Sequence, residues 1–134
     1  MLAASGMPTR DEALALFERR RQAWLAGDVE AYLALWAPDM RFRSPTHPEP
    51  LDRLGFAALV RRSLAAARPL SFDFSHVAVN GDMVLAEWRI AVERSDGERV
   101  VWWGMSVAEV RDGLIFDWRE YWNPADVARA TGKP

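Results

Sequence analysis

The sequence predicts an α+β domain in which three N-terminal helices pack against one face of a curved, mostly antiparallel sheet. In the first half of the 134-residue chain, apolar residues recur at helical spacing, and in the second half they alternate with polar ones. Asn-Gly or Asp-Gly dipeptides, typical of hairpin turns, separate the alternating segments at 80–81, 96–97 and 112–113. The length suits one hydrophobic core. We therefore expect a single domain at 9–134, preceded by a flexible extension at 1–8.

Capping signals divide the first half into three predicted helices. Thr9 and Glu12 form a capping box that starts the first helix, which ends at Gly27. The second occupies 28–38, between an aspartate N-cap and a helix-ending proline, and the third ends at Pro69. Arginines on these helices are expected to be solvated: Arg19, Arg20, Arg21, Arg61 and Arg62.

Strand signals occupy most of the remaining chain. A short strand at 41–44 is followed by a proline-rich loop. From Leu70 onward, alternation places Phe72, Phe74 and His76 on one face of a strand. Further strands are predicted at 83–93, 99–111 and 114–122, and a short terminal helix from 123 to 132.

The two Asp-Gly turns allow the register of the last three strands to be predicted. If each is a two-residue loop, Trp88 pairs with Met105, and Met105 pairs with Glu120. One face then collects mostly apolar residues and should contact the helices: Ala86, Trp88, Ile90, Trp103, Met105, Val107, Phe116, Trp118, Glu120 and Trp122. The opposite face collects Glu87, Arg89, Trp102, Ser106, Asp117, Arg119 and Tyr121.

Glu120 interrupts the apolar face with a carboxyl group. Burial among aromatic rings raises the pKa of a carboxyl group, which suits general acid or base catalysis near neutral pH. The alternative is a glutamate at the edge of a pocket that reaches water or pairs with an arginine. A one-residue slip in either turn would move Glu120 to the opposite face.

Composition excludes several classes of function. The net charge of −2 provides no basic excess for nucleic-acid binding. The absence of cysteine excludes disulfides, thiolate zinc sites and thiol nucleophiles. The chain contains no apolar run of roughly 18 residues, so no membrane association is predicted and a cytoplasmic location is the default expectation. Two histidines without ligand spacing predict no metal, and no cofactor is expected.

Two segments resemble a known family. The run 24–39 (WLAGDVEAYLALWAPD), followed by FRSP at 42–45, resembles the helix-to-first-strand signature of the SnoaL-like group in the nuclear transport factor 2-like superfamily. The closing segments RDGLI at 111–115 and WREYWNP at 118–124 resemble its last hairpin. The resemblance implies a cone-shaped curved sheet closed by helices around an apolar pocket, and a homodimer formed through the outer sheet face.

Few functional residues of the related proteins have a matching residue in this sequence. The base carboxylate, the oxyanion acid and the first-helix tyrosine of ketosteroid-isomerase-like members fall on Ser44, Met105 and Arg20, so that mechanism is not expected. The acid/base glutamate of the phenazine-biosynthesis A/B proteins, which have a similar closing run, falls on Glu120. Their companion histidine falls on Val60, which puts that condensation chemistry in doubt.

Together these observations predict a protein that binds a small, largely apolar, cyclic molecule, with Glu120 as general acid or base in an isomerase-, cyclase- or condensation-type reaction. The expected ligand-binding residues are Tyr32, Trp36, Phe42, Ser44, Trp88, Trp103, Met105, Trp118 and Trp122. His47 and His76 are candidate polar partners, the alternatives being a solvated loop histidine and a structural one. A non-catalytic binding module, or a homodimeric scaffold with Val100, Trp102 and Tyr121 on the outer face, are the other hypotheses.

Overall fold

The computed structural model describes residues 7–130, and its helices lie largely where the capping signals predict them. The first six residues of the predicted extension and the end of the predicted terminal helix lie outside the described residues. The helices are α1 (Arg10–Ala26), α2 (Val29–Leu33), α3 (Arg53–Ala66) and α4 (Pro124–Ala130). Thr9 and Glu12 form the capping box, and Gly27 ends α1 in the left-handed conformation at φ 67°.

Six strands form one curved sheet of mixed pairing. They are β1 (Trp36–Ser44), β2 (His47–Leu51), β3 (Ala67–Asn80), β4 (Met83–Arg94), β5 (Arg99–Arg111) and β6 (Leu114–Trp122). Their order across the sheet is β2-β1-β6-β5-β4-β3, with β1 and β6 parallel and the other pairs antiparallel. The predicted α+β class is thus confirmed.

Several boundaries in the first half differ from the prediction, including that of the third helix, which ends at Ala66 and leaves Pro69 inside β3. The second helix ends at Leu33, and Pro38 lies inside β1 rather than ending a helix. The predicted proline-rich loop contains β2, which is an edge strand. An edge strand tolerates prolines because one of its sides has no ladder hydrogen bonds to lose.

The predicted pairing of β4 with β5 is wrong by one residue. The turn at 96–97 is a three-residue loop, closed by the Arg94 N–H donating to the Glu98 carbonyl at 2.9 Å. Gly97 takes the left-handed conformation at φ 87°, which this loop length favours. Trp88 therefore lies opposite Gly104. The shift places Trp102, Gly104 and Ser106 on the concave face, and it turns Trp103, Met105 and Val107 outward.

The predicted pairing of β5 with β6 is also wrong by one residue along most of its length. The turn at 112–113 has two residues, both with positive φ, as predicted. Beyond it, a bulge leaves Phe116 without a partner, so that Ser106 lies opposite Glu120. Together the two shifts displace β6 by two residues relative to β4, so Trp88 lines up with Trp122 rather than with Glu120. A displacement of two residues leaves each β6 side chain on its predicted face, because side chains alternate along a strand. Glu120 consequently faces the same side as Trp88, although neither predicted pair is correct.

A bulge also separates His76 from the apolar face of β3. Phe72 and Phe74 lie opposite Ile90 and Trp88, but the pairing shifts at Ser75, so the predicted common face for the three β3 residues is wrong. His76 lies opposite Glu87, and its Nδ1 is 3.0 Å from a Glu87 carboxylate oxygen. Its side chain is 84% exposed.

The core lies between the helices and the concave face of the sheet. It forms two neighbouring clusters of buried residues, one around Trp36 and Trp118 and one around Phe72 and Trp88. The aromatic rings pack at centroid distances between 4.4 and 6.2 Å, which contributes to stability beyond burial alone. Between these clusters the sheet curves around a cavity.

Candidate functional site

A cavity of about 610 Å³ lies between the helices and the concave face of the sheet. Its size is within the usual range for small-molecule sites, and its wall is mainly apolar. Four tryptophans line it, from α1, β4, β5 and β6: Trp24, Trp88, Trp102 and Trp122. Other rings on its wall are Tyr32, Phe42, Phe56 and Phe72, and its polar or charged lining residues include Arg20, Ser44, Thr46, His47, Arg62, Ser63 and Glu120.

Glu120 presents its carboxyl group to this cavity in a fixed orientation. Strand alternation puts Trp118, Glu120 and Trp122 on one face of β6. The indole Nε1 of Trp118 donates to one carboxylate oxygen at 2.8 Å, and the indole Nε1 of Trp122 donates to the other at 2.6 Å. The two hydrogen bonds restrain the carboxyl group from both sides.

Burial raises the pKa of Glu120 above its ordinary value. The nearby positive charge of Arg20 and the two indole hydrogen bonds act in the opposite direction, but they do not outweigh the loss of hydration. The side chain is half-buried and belongs to the cavity wall. A carboxyl group in this state keeps its proton to a higher pH than an exposed one.

Arg20 is buried against the same wall, although the sequence predicts a solvated arginine. Its residue is only 4% exposed. The guanidinium carbon lies 4.1 Å from the ring centroid of Trp118, 5.0 Å from Phe72 and 5.2 Å from Tyr32, which are cation–π distances. Within residues 7–130, its Nε and Nη1 have no hydrogen-bond acceptor, and no carboxylate lies within ion-pair distance of it.

Tyr32 links the arginine to the rest of the aromatic wall. Burial raises the pKa of Tyr32 to about 12, against the charge of Arg20 and a hydrogen bond from it. The nearby negative charge of Glu120 also raises that pKa. The phenol therefore stays protonated, and Arg20, Tyr32 and Glu120 form one electrostatically connected group.

The rim of the cavity is polar. The Nδ1 of His47 lies 3.2 Å from the Thr46 hydroxyl and 3.4 Å from the Ser44 hydroxyl. Arg62, from α3, adds a second guanidinium to the lining.

The predicted site residues fall into three groups. Those on the cavity wall are Tyr32, Phe42, Ser44, His47, Trp88, Glu120 and Trp122. Trp36 and Trp118 are fully buried in the core behind the wall. Trp103, Met105 and His76 face the convex side of the sheet, because of the β5 shift and the β3 bulge, so they cannot contact the cavity. For Trp103 and Met105, exposure of 60% and 45% agrees with this placement.

The prediction omits Arg20 and Trp102 from the cavity wall. Trp102 is omitted because the three-residue loop at β4–β5 is unexpected. The sequence contains a pattern that could have indicated the burial of Arg20, because Phe17, Arg20 and Trp24 share one stripe of the helix. A charged residue on an apolar stripe indicates either a paired ion or a functional group.

Further features bear on the chemistry of the molecule. In the part of the chain that the structure describes, no three His, Asp or Glu side chains are grouped closely enough to hold a metal ion. None of the helices within residues 7–130 has the length and apolar character needed to cross a membrane.

Similar proteins place the fold. A candidate isomerase from Bacillus subtilis is 23% identical, with a TM-score of 0.82, covering 92% of this chain and 95% of that one. An LEH-like epoxide hydrolase from M. tuberculosis is 24% identical, with a TM-score of 0.75 and 92% of both chains covered. A candidate polyketide cyclase from Xanthomonas campestris is 24% identical, with a TM-score of 0.73, covering 91% of this chain and 98% of that one.

These likenesses show a shared nuclear transport factor 2-like fold. Among curated proteins, the chain has no significant sequence match. The model of the SnoaL-like domain matches residues 17–118, which is well over half of the chain. The resemblance predicted from the sequence is therefore confirmed, and the chain belongs to the SnoaL-like domain family.

Proposed function

We propose that the chain binds a small, largely apolar, cyclic molecule in the cavity and acts on it with Glu120 as general acid or base. The reaction is of the isomerase, cyclase or condensation type. The observation that carries the proposal is a carboxyl group on an aromatic wall, with each oxygen held by an indole N–H. Such a wall binds rings by burial and stacking.

The state of the carboxyl group supports an acid/base role. Proton transfer is most effective when the pKa of the catalyst is near the working pH, and burial moves the pKa of Glu120 in that direction. The two indole donors supply orientation without a compensating charge. Proton transfer to carbon or oxygen also requires such a fixed approach.

The structural neighbours support small-molecule chemistry at this fold. Candidates for an isomerase and a cyclase, and an LEH-like epoxide hydrolase, share it. Since one fold hosts many activities, the reaction must be argued from the site. Ser44 stands where ketosteroid-isomerase-like members have their base, so the proposal does not include that mechanism.

A probe reaction can test the acid/base role without the natural substrate. In 5-nitrobenzisoxazole, a base removes the proton from the ring carbon, the N–O bond breaks, and a coloured cyanophenolate forms. We expect turnover above the buffer rate that rises with pH as Glu120 ionises, and loss of that turnover in Glu120→Gln. Glu87→Gln, which changes a carboxylate on the convex face, is the matched control. Equal rates for the protein and Glu120→Gln would contradict the proposal.

A non-catalytic binding module is the second candidate. It is favoured by one observation: both oxygens of Glu120 are already hydrogen-bonded, as in a structural carboxylate. A ¹³C NMR titration of the Glu120 carboxyl distinguishes the two. A pKa at the ordinary value of about 4.3 would favour the binding module.

We also propose that the outer sheet face forms a homodimer. Trp103, Met105 and Tyr121 are 60%, 45% and 57% exposed on the convex side, and Arg89 lies over the Trp103 ring at 5.6 Å. Of the residues predicted for this face, Tyr121 lies there, whereas Trp102 lines the cavity and Val100 is buried. Sedimentation velocity at micromolar concentration should show a dimer that Trp103→Glu dissociates. A monomer at that concentration would rule the proposal out.

A further inference from the structure

The wall of the cavity carries more positive than negative charge. Among the described residues that line it, Arg20 and Arg62 are cations, and Glu120 is the one carboxylate. The chain as a whole has a net charge of −2, so the excess is local to the cavity. A bound anion would be attracted to this wall.

Arg20 is the cation without a matching anion. Four aromatic rings lie within 4.1 to 5.8 Å of its guanidinium carbon and hold it in place, and Tyr32 accepts one hydrogen bond from it, but its Nε and Nη1 have no acceptor among the described residues. The carboxyl oxygens of Glu120 are engaged by Trp118 and Trp122 and do not form an ion pair with Arg20 within the described residues. Buried guanidinium groups are normally paired, so an unpaired one beside a cavity indicates a missing partner.

We propose that the molecule bound in the cavity is a cyclic carboxylic acid, and that Arg20 is the residue that recognises its carboxylate. This inference rests on the proposed function of the cavity. A carboxylate matches the planar guanidinium and cancels its charge, whereas a neutral carbonyl would supply only an acceptor. The ring of the acid then lies against the tryptophans of the wall.

The carboxyl group of Glu120 predicts that binding of a carboxylate is coupled to uptake of a proton. A bound carboxylate disfavours ionisation of Glu120. The affinity of the protein for the carboxylate therefore falls as pH rises and Glu120 loses its proton. The charged and titratable groups that face Glu120 are Arg20 from α1 and Tyr32 from α2. Elsewhere on the cavity wall, β2 supplies His47 and α3 supplies Arg62.

Isothermal titration with 2-naphthoate and its neutral amide, 2-naphthamide, tests the proposal. We expect the acid to bind at least ten-fold more tightly above about pH 6, where it is ionised. Arg20→Met should remove this preference, and Arg62→Met should retain it. Titrations in two buffers of different ionisation enthalpy should show proton uptake with 2-naphthoate, absent in Glu120→Gln and retained in His47→Gln.

Several outcomes would overturn the inference. Equal affinity for the acid and the amide would refute carboxylate recognition. It would remain compatible with the proposed function, since an apolar cavity binds both. Retained preference in Arg20→Met, or its loss in Arg62→Met, would assign the recognition elsewhere. Binding of neither probe would refute it as well, while the elimination assay judges Glu120 separately. If Arg20→Met does not fold, Arg20→Lys, which keeps the charge but not the fork, should retain part of the preference.

Discussion

Replacing Gly104 by alanine would test the observed register of β5 and the packing behind the cavity. Gly104 lies opposite Trp88, whose indole covers it. A Cβ at this position would lie 2.9 Å from Cζ3 of Trp88 and closer still to Cζ2 and Cη2. Trp88 is 1% exposed and its Nε1 donates to the Ser106 hydroxyl at 2.8 Å, so moving the indole away from the new Cβ strains or breaks that hydrogen bond.

The expected cost follows from these contacts. Overpacking a dense core costs about 1–3 kcal/mol. Displacing the indole also breaks its bond to Ser106 and leaves a buried donor unpaired, at roughly 1–3 kcal/mol. Removing a glycine restricts the unfolded chain and returns about 0.4–1 kcal/mol. We expect Gly104→Ala to lower the free energy of unfolding by about 2–4 kcal/mol, and the melting temperature by about 10 °C.

Urea unfolding followed by circular dichroism measures this cost. Gly55→Ala is the matched control, because a Cβ there meets its nearest atoms at 3.4 Å inside α3, and helix propensity predicts a gain of up to about 1 kcal/mol. In a Trp88→Leu background, Gly104→Ala should cost less than in the native chain. A Gly104→Ala protein as stable as the native one would refute both the register and the packing.

Three further predictions concern the titrating groups of the cavity. Because its folded-state pKa is raised, Glu120 contributes most to stability at pH values below its ordinary pKa, and that contribution is lost as pH rises through the raised pKa. Unfolding at several pH values should therefore show the native chain losing stability relative to Glu120→Gln as pH increases; a constant difference would contradict this. Trp122→Phe removes a donor to the carboxylate and should raise the pKa of Glu120 further by ¹³C NMR, whereas an unchanged pKa would dismiss that bond as a factor. Tyr121→Phe leaves Tyr32 as the sole tyrosine, and it should show no tyrosinate absorbance until the pH nears 12; ionisation near pH 10 would argue against its burial.

The fold could be predicted from the sequence because its signals are local. Capping at Thr9 and the Asp-Gly turns each depend on a few neighbouring residues, and together they define the order of helices and strands. The parallel pairing of β1 with β6 depends on residues about 75 positions apart along the chain, such as Phe42 and Trp118. Pattern alone does not define such a pair.

Register was less predictable, since it depends on single residues in turns and bulges. An Asp-Gly dipeptide occurs both in the three-residue loop at Gly97 and in the two-residue loop at Gly113. Nothing in the local sequence reveals that Phe116 is the extra residue of a bulge. Glu120 faces the cavity because the two one-residue departures add to a displacement of two residues, which leaves its face unchanged, so its placement could not have been derived from either hairpin alone.

The burial of Arg20 could not be predicted from the sequence for a different reason. A run of three arginines on a helix is usually solvated, and two of the three are more exposed here. Arg20 differs because its position on the helix faces the sheet, where Trp118, Tyr32 and Phe72 surround it. Only the tertiary arrangement brings together enough aromatic surface to hold a guanidinium that forms no ion pair with any carboxylate of residues 7–130.

The tryptophans explain how the cavity wall holds a carboxyl group in place without a cation in contact with it. A cation in direct contact with Glu120 would hold its pKa low, whereas a phenylalanine wall would leave its oxygens without donors. The indoles of Trp118 and Trp122 supply two neutral donors and remain largely apolar, so the carboxyl group is oriented while its pKa stays raised. Arg20 is held by cation–π contacts with the rings and forms no ion pair with Glu120. The same aromatic residues therefore keep the guanidinium cation of Arg20 and the carboxyl group of Glu120 out of direct contact while both lie on the cavity wall.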